Sequence, residues 1–256
     1  MGISTLATPE QDFLGRRAVN RTDRGRILFV EDFRHPVLGP WNDGAGAAYR
    51  DNEITFGGLP SVRLDPQGSA STNLTVPGTM DTNGVIFKRR IQDSFSGTFA
   101  VELWLRFTHT ASQGTQNYVC VSHYNRNGTN AWHGRLWFDT SGGDTSTAIR
   151  YVITGGTWPT LATVTDQGNA QHTYSISGNL RDKTGQWNYV KLACNFVTKK
   201  YVYCQWNDRF FDMSGLDLHT GASSSQAVMH FSVEYAAVGT STRFVNVAQM
   251  IGTREP

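Results

Sequence analysis

Phe99-Ala100-Val101-Glu102-Leu103-Trp104-Leu105-Arg106-Phe107 decides the fold class. In an extended chain Phe99, Val101, Leu103, Leu105 and Phe107 fall on one side, and Glu102, Trp104 and Arg106 on the other. A helix would scatter the same five apolar side chains around its axis. The run therefore predicts a half-buried strand with an apolar core face.

Comparable short apolar runs lie on both sides of it. They cover residues 27–31, 61–64 and 85–91 before it, and 118–123, 132–138, 148–153, 173–176, 187–197, 200–206, 209–213, 228–235 and 243–251 after it. Turn signals separate them, among them Asn83-Gly84, Asn127-Gly128, Gly142-Gly143, Gly155-Gly156 and Lys199-Lys200. So many short strands without helical periodicity predict an all-β chain of two packed antiparallel sheets, a jelly-roll sandwich. No internal repeat of fixed period points to a propeller or β-helix.

Composition agrees. The 256 residues fit one large domain, 27–256, behind an N-terminal arm, 1–26, and a sandwich of this size needs no disulfide or metal for stability. Charged residues make up only 17% while aromatics reach 12% and glycines number 26, which suits strands joined by tight turns. A net charge of +2 gives no molecule-wide field for nucleic acid or an anionic membrane, and neither is expected as a partner. Met1-Gly2-Ile3-Ser4-Thr5 lacks the basic and apolar segments of a signal peptide, and Leu6 breaks the myristoylation pattern. Synthesis in a cytoplasm is the expectation.

Cys120, Cys194 and Cys204 form no Cys-x-x-Cys pair, so buried thiols are expected. A three-residue hairpin turn centred on Lys199 would set Cys194 opposite Cys204, close enough to pair, whereas a one-residue change of register would part them.

The arm reads differently from the rest. Thr8-Pro9-Glu10-Gln11 has the features of a helix start, with Thr8 as cap and Pro9 at the first helical position, and Gly15 ends a short helix. From Arg16 to Arg26 five arginines face one acid, Asp23. Such a stretch is either a solvated arm or a docking arm, and Arg16, Arg17 and Arg21 are the candidate docking contacts.

From Arg26 to Ile251 the order of features resembles concanavalin A-like and laminin G-like jelly rolls. Glu31-Asp32-Phe33 followed by Gly39-Pro40-Trp41 is similar to that family's opening strand, and 97–107 to its central strand. Gln186-Trp187-Asn188-Tyr189-Val190-Lys191-Leu192 with Lys200-Tyr201-Val202-Tyr203 and Asn207-Asp208 is similar to its late hairpin. The resemblance implies the sandwich fold and leaves function open. Endoglucanase members carry a Glu-x-Asp-x-x-Glu strand that is missing here, and the nearest carboxylates, Glu102 and Glu234, lie on different strands. The lyase members' strand motifs are missing too.

Other chemistry is sparse. The seven histidines show no His-x-His or His-x-x-x-His spacing, and no Gly-x-Ser-x-Gly elbow or phosphate loop is present. No cofactor is expected. Asp139-Thr140-Ser141-Gly142-Gly143-Asp144 offers the carboxylates Asp139 and Asp144 in the oxygen-rich pattern of a Ca²⁺ site, but the same residues are ordinary turn chemistry. Trp132, Trp137 and Trp158 are the candidate carbohydrate platform, since sugar rings stack on indole faces. Their alternative role is packing at the sandwich end or against another subunit.

A basic arm ahead of a lectin-like jelly roll is similar to accessory proteins of tailed-phage virions. That resemblance implies a non-enzymatic capsid decoration or minor tail protein, located in the virion. Its partners would be the major capsid or tail proteins, further copies of this chain and, weakly, host surface glycans. The alternatives are a free-standing lectin and, behind it, a glycoside hydrolase or lyase.

Overall fold

The computed structural model of the protein describes residues 26–34, 47–65, 85–91, 96–107, 115–124, 130–139, 148–153, 186–207, 209–221, 228–237 and 245–255. Among them there are fourteen strands and no helix. One antiparallel sheet of eight strands runs in the order β11 (Arg209–Asp212), β10 (Lys200–Trp206), β9 (Trp187–Asn195), β5 (Thr98–Phe107), β14 (Val245–Glu255), β3 (Leu59–Asp65) and β2 (Ala47–Phe56), with β1 (Arg26–Glu31) also on β14. A six-stranded sheet runs β12 (His219–Gly221), β7 (Ala131–Asp139), β6 (Thr115–Tyr124), β13 (Val228–Ala237) and β4 (Val85–Ile91), with β8 (Ala148–Tyr151) also on β7. This is the all-β antiparallel jelly-roll sandwich expected from the alternation. The arm, its short helix, Trp41 and the run at 173–176 lie outside the described residues.

The predicted apolar face of β5 is the core face: Phe99, Val101, Leu103 and Leu105 are fully buried. They share one core with Leu136 and Phe138 of β7 and Met229, Phe231 and Val233 of β13. Rings from the two sheets meet directly, Phe138 with Trp206 at 5.1 Å and Phe29 with Phe231 at 5.3 Å. At one point the sheets approach more closely still. Gly134 of β7 lies over Cys194 of β9, where a Cβ on Gly134 would sit 2.0 Å from the Cys194 Sγ.

Tyr201 of β10 crosses the whole sandwich. Its buried hydroxyl donates to the Val152 carbonyl at 2.7 Å and accepts from the Arg135 N–H at 3.0 Å. A phenol from one sheet thereby fills a place in the backbone ladder of the other, where an orphaned N–H and C=O would each carry a desolvation cost.

Strand β14 changes partner halfway. Its first residues, Val245 to Val247, pair with β3, and the stretch from Met250 onward pairs with β1. The switch falls at an irregularity between Ala248 and Ile251, where Gln249 has φ 44°. A bulge there keeps Val245, Val247 and Met250 in the core although their spacing breaks the alternation.

The register of the late hairpin, which the sequence left open, parts the two cysteines. Cys194 pairs with Tyr201 and Cys204 with Leu192, so the two thiols do not face each other. The turn has four residues rather than three: Asn195 Oδ1 accepts from Val197 N and Thr198 N at 2.9 Å each, Lys199 closes it at φ 59°, and a bulge follows before Tyr203. Both cysteines remain buried thiols, and burial pushes that of Cys204 far up, leaving it unreactive.

Strands β2 and β12 were not foreseen. In β2 the Asp51 carboxylate turns back on its own chain, accepting from Glu53 N at 2.9 Å and Ile54 N at 3.0 Å, and this breaks the period-two pattern. Asn246 Nδ2 donates to Asp51 Oδ2 at 3.1 Å and to Ser61 Oγ at 2.9 Å, which locks the irregular strand to β3 and β14. Burial alone would raise the Asp51 carboxyl, but these hydrogen bonds and the Arg63 charge outweigh it and hold it below its usual value.

Candidate functional site

The site follows from which way β7 and β13 point. Leu136 and Phe138 enter the core, so His133, Arg135 and Trp137 project from the outer face of the six-stranded sheet. On β13 Met229, Phe231 and Val233 enter the core, which sends His230 and Ser232 to the same outer face.

Strand register arranges these residues in rows. His219 pairs with His133, His133 with Ser122, Ser122 with His230, and His230 with Arg90. In the next row Arg135 pairs with Cys120, Cys120 with Ser232, and Ser232 with Lys88. In the third, Arg150 pairs with Trp137, Trp137 with Tyr118, and Tyr118 with Glu234. The His133 and His219 rings lie 6.0 Å apart, and the Arg150 guanidinium sits over the Trp137 ring at 5.4 Å, fixing its orientation.

This part of the outer face is closed off from solvent. His133, Arg135, His219, His230 and Ser232 are all buried, although none points into the core. Burial is the main reason that His133 is held well below the usual imidazole range, with the charges of Arg135, His219 and His230 adding to it. Its imidazole is therefore neutral near pH 7, one nitrogen donating and the other accepting. The backbone of Arg135 is positioned from across the core by Tyr201.

The sequence candidates separate in the structure. Trp132 and Trp137 stand on opposite faces of β7: Trp132 packs against the core with Lys199 Nζ 4.8 Å over its ring, while Trp137 looks outward. They do not form one platform. Trp158, Asp144, Arg16, Arg17 and Arg21 lie outside the described residues, as does the side chain of Asp139. Among the described residues no three His, Cys, Asp or Glu side chains are placed to hold a metal ion.

The outer face of the eight-stranded sheet is built otherwise. Glu102 there accepts from the Tyr189 hydroxyl at 2.7 Å and lies 3.3 Å from Lys191 Nζ, which also reaches Glu255 at 2.9 Å. Beside this cluster Phe56, Trp104, Trp187 and Tyr189 form a chain of ring contacts between 4.8 and 5.4 Å. Glu102 belongs to one sheet and Glu234 to the other, so these two cannot act as one catalytic pair.

Sequence reasoning missed His133, His219, His230, Arg135 and Ser232 as a group. Their spacing gives no motif, because three separate strands bring them together. The readable signal was the polar alternation His133-x-Arg135-x-Trp137 and His230-x-Ser232 within runs already recognised as strands.

No family model matches the chain, and no curated protein matches it. Solved structures do. A carbohydrate esterase of Shiga toxin-encoding bacteriophage phi24B is 9% identical with a TM-score of 0.50, over 91% of this chain and 100% of that one. The potassium-bound carbohydrate recognition domain of Emp46p is 11% identical with a TM-score of 0.45, over 86% and 90%. The CBM2 module of the evolved Dit of Lactobacillus casei BL23 phage J-1 is 10% identical with a TM-score of 0.44, over 91% and 96%. At such identities the likeness is one of fold.

Proposed function

We propose that this protein is a non-enzymatic recognition module that binds carbohydrate along the outer face of its six-stranded sheet. The observation that carries the reading is the convergence of Trp137 with His133, His219, His230, Arg135 and Ser232 on one outer sheet face. An oriented indole offers a stacking surface for the apolar side of a sugar ring, and neutral imidazole, hydroxyl and guanidinium groups match its hydroxyls. Separation of Glu102 and Glu234 into different sheets supports a binding rather than a hydrolytic role. No cofactor is part of the proposal. Trp137→Ala is expected to weaken glycan retention by about tenfold or more while leaving cooperative unfolding intact. Affinity electrophoresis through polysaccharide gels checks it, and undiminished retention of the variant would overturn the reading.

The five arginines between positions 16 and 26 favour a second reading that is compatible with the first. In it the sandwich is an accessory protein of a phage particle, docked through Arg16, Arg17 and Arg21 to a capsid or tail protein. Gradient-purified particles should then contain this chain, and a version lacking residues 1–26 should be missing from them. Incorporation of the shortened chain at the parent level would refute the docking role.

A further inference from the structure

Strand β1 stands at an edge of the eight-stranded sheet: one side pairs with β14, and among the described residues no strand pairs with the other. Such an edge presents a row of backbone donors and acceptors to any strand that can complete it. It is firmly seated, for the Phe29 ring packs on Phe231 at 5.3 Å and lies so close over Gly252 that no Cβ would fit there. The face that each side chain takes follows from its partners. Ile27 pairs with Thr253, whose hydroxyl donates to Glu255, and Val30 pairs with Ile251, itself opposite Glu102. Both carboxylates hold Lys191 on the outer face, so Ile27 and Val30 point outward, 36% and 53% exposed. Leu28 and Phe29 both pack against the core, because a bulge between Ile27 and Phe29 adds one residue to the strand. Arg26 and Glu31, at the two ends, fall on that inner side as well. Glu31 is opposite the core residue Met250, and Arg26 is opposite Arg254, whose guanidinium lies over the Phe99 ring.

We propose that β1 is the contact through which two copies of this chain associate, the two strands running antiparallel about a two-fold axis so that their eight-stranded sheets continue into one. This is independent of the carbohydrate reading. The order Arg26-Ile27-Leu28-Phe29-Val30-Glu31 is its own complement when reversed. Arg26 then meets Glu31 of the second copy, Ile27 meets Val30, and Leu28 meets Phe29, each pair occurring twice. Residues paired in an antiparallel ladder share a face, and two residues an odd number of positions apart ordinarily do not. The bulge removes that obstacle, since its extra residue brings Ile27 and Val30 to one face and Arg26 and Glu31 to the other. The opposite edge of the sheet shows what happens without one. Strand β11 has the similar order Arg209-Phe210-Phe211-Asp212, but Phe211 enters the core while Phe210 stacks on Tyr203 outside, so the same pairing would join opposite faces. In β1 the cross-strand apolar pairs supply the contact, and the charged ends set its register. Glu31 Oε1 accepts from Phe33 N at 3.1 Å, which holds the carboxylate at the end of the strand.

Sedimentation equilibrium of the full chain over a range of concentrations tests this. The expected result is a reversible dimer whose dissociation constant rises by about tenfold or more in Val30→Lys, a change at an exposed position. Arg26→Glu and Glu31→Arg should each weaken association by about tenfold, because every dimer then holds two like-charged pairs. Mixed together, these two variants should associate with each other at about the parent strength, since each offers the charge that the other's strand ends lack. Should Glu31→Arg not fold, Val30→Lys and Arg26→Glu decide the matter. A parent chain that stays monomeric at every concentration would overturn the proposal, whether or not some other protein binds the edge. A dimer left unchanged by Val30→Lys and by the charge reversals would overturn it too, as would failure of the two folded charge variants to recover association when mixed.

Discussion

Replacing Gly134 by alanine is expected to destabilise the protein by about 3 kcal/mol or more, a large loss for one methyl group. The new Cβ would lie 2.0 Å from Cys194 Sγ, 3.4 Å from Cys194 Cβ and 3.3 Å from Leu218 Cδ2. Gly134 and Cys194 are both buried between the two sheets, so relief requires the sulfur to be forced out of its packed position or the sheets to part. A cavity-forming partner should rescue it. Cys194→Ala removes the clashing sulfur, so the double variant should be more stable than Gly134→Ala alone, with a coupling energy of about 1–3 kcal/mol. Urea unfolding of the four proteins measures this coupling. Strictly additive losses would mean that the two sheets do not touch at this point in solution.

Lys191→Met should be comparably damaging, at about 3–5 kcal/mol. The ammonium is almost fully buried with Glu102 and Glu255, and removing it leaves two carboxylates facing each other away from water. Glu102→Gln should cost less, because Lys191 keeps Glu255 and the Tyr189 hydroxyl keeps an acceptor. The same cluster sets an alkaline limit. Burial opposes the charged ammonium, but Glu102, Tyr203 and Glu255 outweigh it and raise Lys191 from 10.5 to about 12. A pKa raised on folding means that the unfolded chain releases this proton first. The contribution is whole below pH 10.5 and is lost as the pH rises through about 12. Urea midpoints taken across this window should fall more steeply in the parent than in Lys191→Met; parallel curves would show that the lysine is not paired in solution.

How far the sequence could be read depended on where order is local. Strand β5 was legible because five apolar residues alternate without interruption, and the structure buries the face they define. The hairpin of β9 and β10 was legible as two strands, but its register was not. Asn195 captures two backbone N–H groups and lengthens the turn, and a bulge then shifts the pairing. Strand β2 escaped because Asp51 satisfies its own neighbours' amides, a local contact that interrupts the alternation and acquires its meaning only from Asn246 far along the chain. The histidine row was invisible for a related reason. His133, His219 and His230 become neighbours through ladders between distant strands, and no spacing within any one segment encodes that.

The phenol of Tyr201 bears on how such a face diversifies. A backbone fastened from behind owes little of its geometry to the side chains it displays. Arg135 N–H is anchored by a group rooted in the opposite sheet, so exchanging the arginine, the neighbouring histidines or Trp137 alters the displayed chemistry and leaves the mounting in place. Diverging copies of this chain can therefore change the chemistry of this face one residue at a time, provided that the tyrosine behind the face is kept.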